Sequence, residues 1–293
     1  MRKFLAVGAA TGALIVAGCA DSALATVQYS SAQSHSAQNG HHRIDQNGDV
    51  SLMGSDMTIE GDIGGDLSLI GSDLEVHANI GGGMSLVGSD IEFNGSVAGT
   101  SDIAGSDVTW TGESGDDVDI AGSDVDWTGS TRGALSIAGS DVVVDGSVED
   151  DLDIAGSDVE LTGGSHVGGD LSIAGSDLEI AANVAGNADL AGSHINITGA
   201  IDGRLLAVAY SQRGWQWSSN DSHQRVKIDG RIGDGSAVCA RRVDVTGNAV
   251  LSGSLAVFAE EAPMIADGVD GSAISFEEIS DRDCDELLEP YDR

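Results

Sequence analysis

The triplet Gly-Ser-Asp returns every 17 residues through most of this chain, and no other feature limits the possible folds as much. It places Asp56, Asp73, Asp90, Asp107, Asp124, Asp141, Asp158 and Asp177 in one series, and a Gly-Ser-His variant puts His194 next in line. One step is 19 residues, where Gly163-Gly164-Ser165-His166 adds two residues and leaves the following period intact. An insertion of that kind marks a loop bulging from a regular stack. A fixed short period means that each unit cannot bury its apolar face alone and must stack on its neighbours.

Aligned by the period, the rows expose apolar columns. One runs Leu52, Leu69, Leu86, Ile103, Ile120, Ile137, Ile154, Ile173, Leu190, with a second two residues earlier from Val50 to Ala188. After the triplet come Met57, Leu74, Ile91, Val108, Val125, Val142, Val159, Leu178 and Ile195. Two residues further lie Ile59, Val76, Phe93, Trp110, Trp127, Val144, Leu161, Ile180 and Ile197. Ser, Asp, Glu or Thr stand between paired columns, the period-2 alternation of strands with one buried face. A third short element carries Ile63, Ile80, Val97, Val148, Val167, Val184 and Ile201 but has Ser114 and Thr131 in the middle rows, which predicts a looser side there. No helical period fits. The expected fold is all-β, a single-stranded β-solenoid with ~17-residue coils stacked ~4.8 Å apart. Inward positions step by 2, 5, 2 and 4, not by the six of left-handed hexapeptide solenoids, so a right-handed parallel β-helix is expected. Phe93, Trp110 and Trp127 then form an internal aromatic ladder; exposed stacking platforms for a ligand are the alternative.

Composition agrees with frequent turns and an aliphatic core. The 42 glycines are about twice the usual ~7% share. With two prolines, the corners rest on Gly, Ser, Asp and Asn. A net charge of -35 argues against nucleic acid or an anionic membrane surface as partner, and 41% hydrophobic residues argue against disorder.

The chain opens Met1-Arg2-Lys3-Phe4-Leu5, followed by an apolar stretch too short for a permanent span. Val16-Ala17-Gly18-Cys19 resembles a bacterial lipobox, which implies lipidation of Cys19 after removal of residues 1–18. Ala20 after the cysteine favours the outer membrane over inner-membrane retention. Cleavage after Ala23-Leu24-Ala25, giving a soluble product, is the alternative. In an oxidising envelope, Cys239 and Cys284 are expected to pair, with two free thiols as the alternative.

The expected organisation follows: residues 1–18 a lipoprotein signal, 19–47 a flexible tether, and 48–208 the regular β-helix. Residues 209–225 are an inserted loop, 226–276 irregular C-terminal coils, and 277–293 an acidic capping tail. His35, His41 and His42 fall in the tether as incidental residues. Asp45-Gln46-Asn47-Gly48-Asp49 looks like the start of an EF-hand loop, yet Val50 stands where that loop requires Gly. The insertion holds Arg213, Trp215 and Trp217, aromatics beside cations that suit a contact surface or, equally, an apolar lid.

The Gly-Ser-Asp corners admit two readings. The aspartates form either a cation-facing column, with calcium as the candidate ion, or solvated corners in which Gly supplies a positive φ and Ser and Asp satisfy bent backbone. Two charges ~4.8 Å apart repel by roughly 0.9 kcal/mol in water, tolerable only on an exposed face.

Rows such as Gly169-Asp170-Leu171-Ser172-Ile173-Ala174-Gly175-Ser176-Asp177-Leu178-Glu179-Ile180 resemble the bactofilin-like, polymer-forming β-helix proteins of bacteria, over roughly residues 48–276. That resemblance implies right-handed triangular coils and end-to-end assembly without nucleotide. An exported chain with a capped end departs from it. The functional expectation is a structural, scaffolding or adhesin-like envelope lipoprotein without catalysis. It would be anchored to the membrane by lipid, with a protein or glycan partner and possible self-assembly. The alternatives are a calcium-responsive module and, from Asp221 and His223 in the insertion, a polysaccharide-acting enzyme.

Overall fold

The structure, a computed structural model, describes residues 39–209, 224–279 and 283–292. The chain winds as a parallel β-solenoid in which each ~17-residue row forms one coil. Thirteen strands, from Val50–Met53 to Ile274–Glu278, stack in chain order into one sheet, here face A. The remaining strands form a second sheet that bends along its length into faces B and C. Every pairing is parallel and in the register that the columns require: Ile103 lies beside Ile120, Ile120 beside Ile137, and Val125 beside Val142.

Inward and outward positions alternate as the sequence demands. The strand Asp124–Thr131 buries Val125, Trp127 and Thr131 and turns Asp124, Asp126 and Thr128 to water. Faces B and C meet at a column of glycines, Gly95, Gly112, Gly129 and Gly146. A Cβ on Gly129 or Gly146 would lie 2.0 or 2.1 Å from the carbonyl oxygen of the glycine one coil earlier. Only hydrogen fits there, so glycine keeps the coils at hydrogen-bonding distance.

The middle coils are not looser. Phe93, Trp110 and Trp127 are fully buried, and the rings of Phe93 and Trp110 stack with centroids 4.3 Å apart. The coils holding the indoles carry small inward residues elsewhere. Ser101 and Ser114 accompany Trp110, and Thr131 accompanies Trp127, where most other coils have Leu, Ile, Val or Met. The cross-section is thereby filled at near-constant volume, as a close-packed interior requires. Ser114 and Thr131 are also tied in. The Ser114 hydroxyl donates to Asp116 O at 2.9 Å, and that of Thr131 to the same oxygen at 2.7 Å.

The solenoid begins earlier than expected. Gly40–Gln46 is a strand paired with Asp56–Ile63, so residues 40–47 belong to the stack and not to the tether. His42, expected to be incidental, occupies the inward column beside Ile59 and is 6% exposed. Asp45–Asp49 leads into the second row with no flanking helix. The two extra residues near Gly163 form a turn in which Ser165 N–H donates to Thr162 O and its hydroxyl to Val144 O at 2.7 Å.

The inserted loop does not interrupt the stack. Leu205–Ala209 pairs with Ala188–Ala191 on one side and with Ser236–Ala240 on the other. Ala209 ends one strand and Gln224 directly precedes the next, Arg225–Ile228. The last coil keeps the columns, with Ile274 beside Leu255 and Phe276 beside Val257. Among the described residues no strand pairs beyond Ile274–Glu278, and Phe276 is 43% exposed.

Candidate functional site: the corner ladder and the strapped face

Gly-Ser-Asp forms the corner from face A to face B. The serine carbonyl of each coil accepts from two N–H groups of the next: Ser72 and Asp73 both donate to Ser55 O, at 2.8 and 2.9 Å, and the pattern recurs through Ser193 and His194. The corner glycines do not supply a positive φ, as the sequence suggested; among the described residues only Gly40, Gly61, Gly235, Gly268 and the non-glycine Gln224 have one. Space is the reason for glycine here. A Cβ on Gly105 would meet Val108 Cγ2 at 3.0 Å and Ile91 Cδ1 at 3.2 Å, both inward side chains. Backbone carbonyls, not the Ser and Asp side chains, satisfy this corner.

The aspartates project into water, and all eight from Asp56 to Asp177 are exposed. Asp73 and Asp107 are raised above the ordinary carboxyl value, first by a hydrogen bond shared with the preceding aspartate, Asp56 or Asp90, and then by the following one. Asp141 is raised first by partial loss of water and then by Asp124. Close carboxylates of like charge disfavour one another's ionised form.

The column then changes sign. His194 lies beside Asp177, Arg225 beside His194 and Arg242 beside Arg225. His194 Nδ1 is 3.0 Å from Asp177 Oδ1 at the junction. Arg225 and Arg242 both pair with Asp244, a carboxylate only 4% exposed on the outer side of face B. Gln224 and Arg225 donate to Ser193 O as a Ser-Asp pair would. The described chain therefore resumes, at Gln224, beside the junction of acidic and basic segments. Arg213, Trp215, Trp217, Asp221 and His223 lie outside the described residues, as does the lipidation candidate Cys19.

A second acidic ladder, which sequence reasoning missed, serves the fold. At the corner before face A, Asp49 accepts from Asp66 N–H at 3.0 Å, Asp66 from Gly83 at 2.8 Å and Asp117 from Ala134 at 2.9 Å. Asp151 accepts from Asp170 and Asp170 from Asn187, each at 2.7 Å. The signal was available: an Asp or Asn directly before the first inward residue in Asp49, Asp66, Asp117, Asp151, Asp170 and Asn187.

Cys239 and Cys284 are bonded, with Cα atoms 5.8 Å apart. The tail they secure does not cap the end, contrary to the expectation. Its helix, Cys284–Leu288, lies on the outer side of face A. There Leu287, Leu288 and Ile279 cover Leu206, Ala237, Cys239, Ala256 and Phe258 in a small core of their own. Coils from Ser101 to Ala191 place Ser or Asp and Ala at these outward positions; in Leu205–Ala209, Ser236–Ala240 and Leu255–Ala259 nearly every residue is buried. A strand apolar on both sides is one covered on both sides.

Among the described residues no three His, Cys, Asp or Glu side chains converge to hold a metal ion, and no helix is long and apolar enough to cross a membrane. Fold and surface define a parallel β-solenoid with a charged corner column and a covalently strapped face. No family model, curated protein or solved structure matches the chain.

Proposed function

We propose that this chain is a structural, scaffolding or adhesin-like lipoprotein of the cell envelope, presenting a stiff acidic rod to a protein or glycan partner and performing no catalysis. The observation that carries the reading is the register. Like side chains lie over like in the inward columns, and the corner aspartate recurs at one spacing on the surface from Asp56 to Asp177. Such a surface suits extended, repetitive partners. The lipobox at Cys19 provides the anchor, with the outer membrane as its address, and winding is right-handed, the sense that parallel crossovers within a sheet adopt almost without exception. Likeness to bactofilin-like β-helix proteins stands as texture and coil length, with self-assembly as its corollary. Proximity crosslinking of the full chain in its envelope tests the proposal: reproducible recovery of one partner or of a polymer supports it, and recovery of neither removes it.

The linked carboxylates of the corner favour a second reading, a cation-responsive module. Asp73 and Asp107 are each raised by the carboxylates on either side, and a calcium ion would relieve the same repulsion that protons relieve. Melting in calcium against sodium at matched ionic strength separates the readings, since equal melting temperatures reduce the column to solvated corners.

A further inference from the structure

We infer that the C-terminal tail is a releasable strap, locked onto face A by the Cys239–Cys284 bond and lifted when a dithiol reduces that bond. Four observations carry this. The tail's apolar contacts form a cluster separate from the solenoid core, so lifting it removes no inward side chain. Its helix spans five residues, and its N-cap, Asp283, makes no side-chain capping bond. A helix that short does not persist without tertiary support.

The tail also carries Asp283, Asp285, Glu286, Glu289 and Asp292 towards a body that is itself strongly acidic. Arg204 answers that charge: it donates to Tyr291 O and lies 3.8 Å from Asp292, while sharing itself with Asp189 at 3.7 Å. Finally, the face beneath is built for a cover. Leu206 and Ala256 stand at an outward position that holds Ser or Asp in the regular coils, and Phe258 at one that holds Ala from Ala104 to Ala191. Opening would expose an apolar strip over the last coils, while the pairing of the strands beneath stays made within the sheet.

The exchange is balanced. A dithiol thiolate attacks one sulfur of the bridge and forms a mixed disulfide. Its second thiol displaces the protein sulfur, leaving two protein thiols and one oxidised reagent, with two electrons and two protons transferred. Both cysteines are at most 1% exposed, so attack has to follow local lifting of the tail.

The test uses the full chain with dithiothreitol in native buffer, together with the variant Cys284→Ser. The expected result is reduction without denaturant and amide exchange over residues 284–291 at least about tenfold faster. Cys239 should become open to a maleimide and the strip should bind a hydrophobic dye, while exchange over 236–240 and 255–259 and the β circular dichroism stay unchanged. Three results would each overturn the inference: reduction only in denaturant, a tail as protected in Cys284→Ser as in the parent chain, or loss of solenoid structure in that variant.

Discussion

At the residue scale, the corner aspartates set an unusual pH dependence. A carboxyl whose pKa is higher in the fold than in the unfolded chain binds protons more tightly when folded. Asp73, Asp107 and Asp141 therefore favour unfolding at neutral pH, and mild acidification relieves them. Asp229, Asp234 and Asp270 oppose this below the ordinary carboxyl range. Thr246 holds the first low, Ser254 the second and Ser272 the third, so their stabilisation is present above the unfolded value and lost as pH falls through the folded one. Acidification from neutral pH should thus first raise stability and then lower it, once the carboxyls held low become protonated. Replacing Asp73, Asp107 and Asp141 together with Asn should raise the melting temperature at neutral pH and flatten its rise on acidification; calorimetry from neutral to acid pH decides it. Ser101 offers a second prediction. Its hydroxyl is buried without a hydrogen-bond partner among the described residues, beside an indole that already fills the coil. Ser101→Ala should gain about 1 kcal/mol in urea unfolding, because an unsatisfied polar group is removed at little cost in volume.

At the element scale, the strands and their register were legible because a buried column repeats one residue class at one spacing. Leu52 to Leu190 needs no structure to be aligned. Side chains that act between coils were less legible. Asp170 looks like any exposed acid until the N–H of Asn187 is found 2.7 Å from it. Asp170→Ala should cost about 1 kcal/mol, the loss typical of a side-chain cap on a backbone donor, read from chemical denaturation. Ser114 and Thr131 misled because polarity was taken as looseness, when size was being matched to the neighbouring indoles. Trp110→Ala should accordingly lose about 3–5 kcal/mol, since the small residues facing it cannot fill the space. The tail's berth was legible in principle: Leu205-Leu206-Ala207-Val208-Ala209 breaks the polar alternation, a signal outweighed by the expectation of an end cap.

At the scale of the whole molecule, thirteen coils at ~4.8 Å make a stack of roughly 60 Å. With a net charge of -35 spread along it, added sodium chloride should raise the melting temperature by screening self-repulsion, more steeply for the parent chain than for the triple Asn variant. The bond between Cys239 and Cys284 spans 45 positions and encloses the final coils. A rod of this kind can unzip from a free end, one layer at a time, because each layer is held only by the layers beside it. Layers inside a closed covalent ring that peel away cannot drift off. They remain at high local concentration over the place they left, and winding back on is a short intramolecular search.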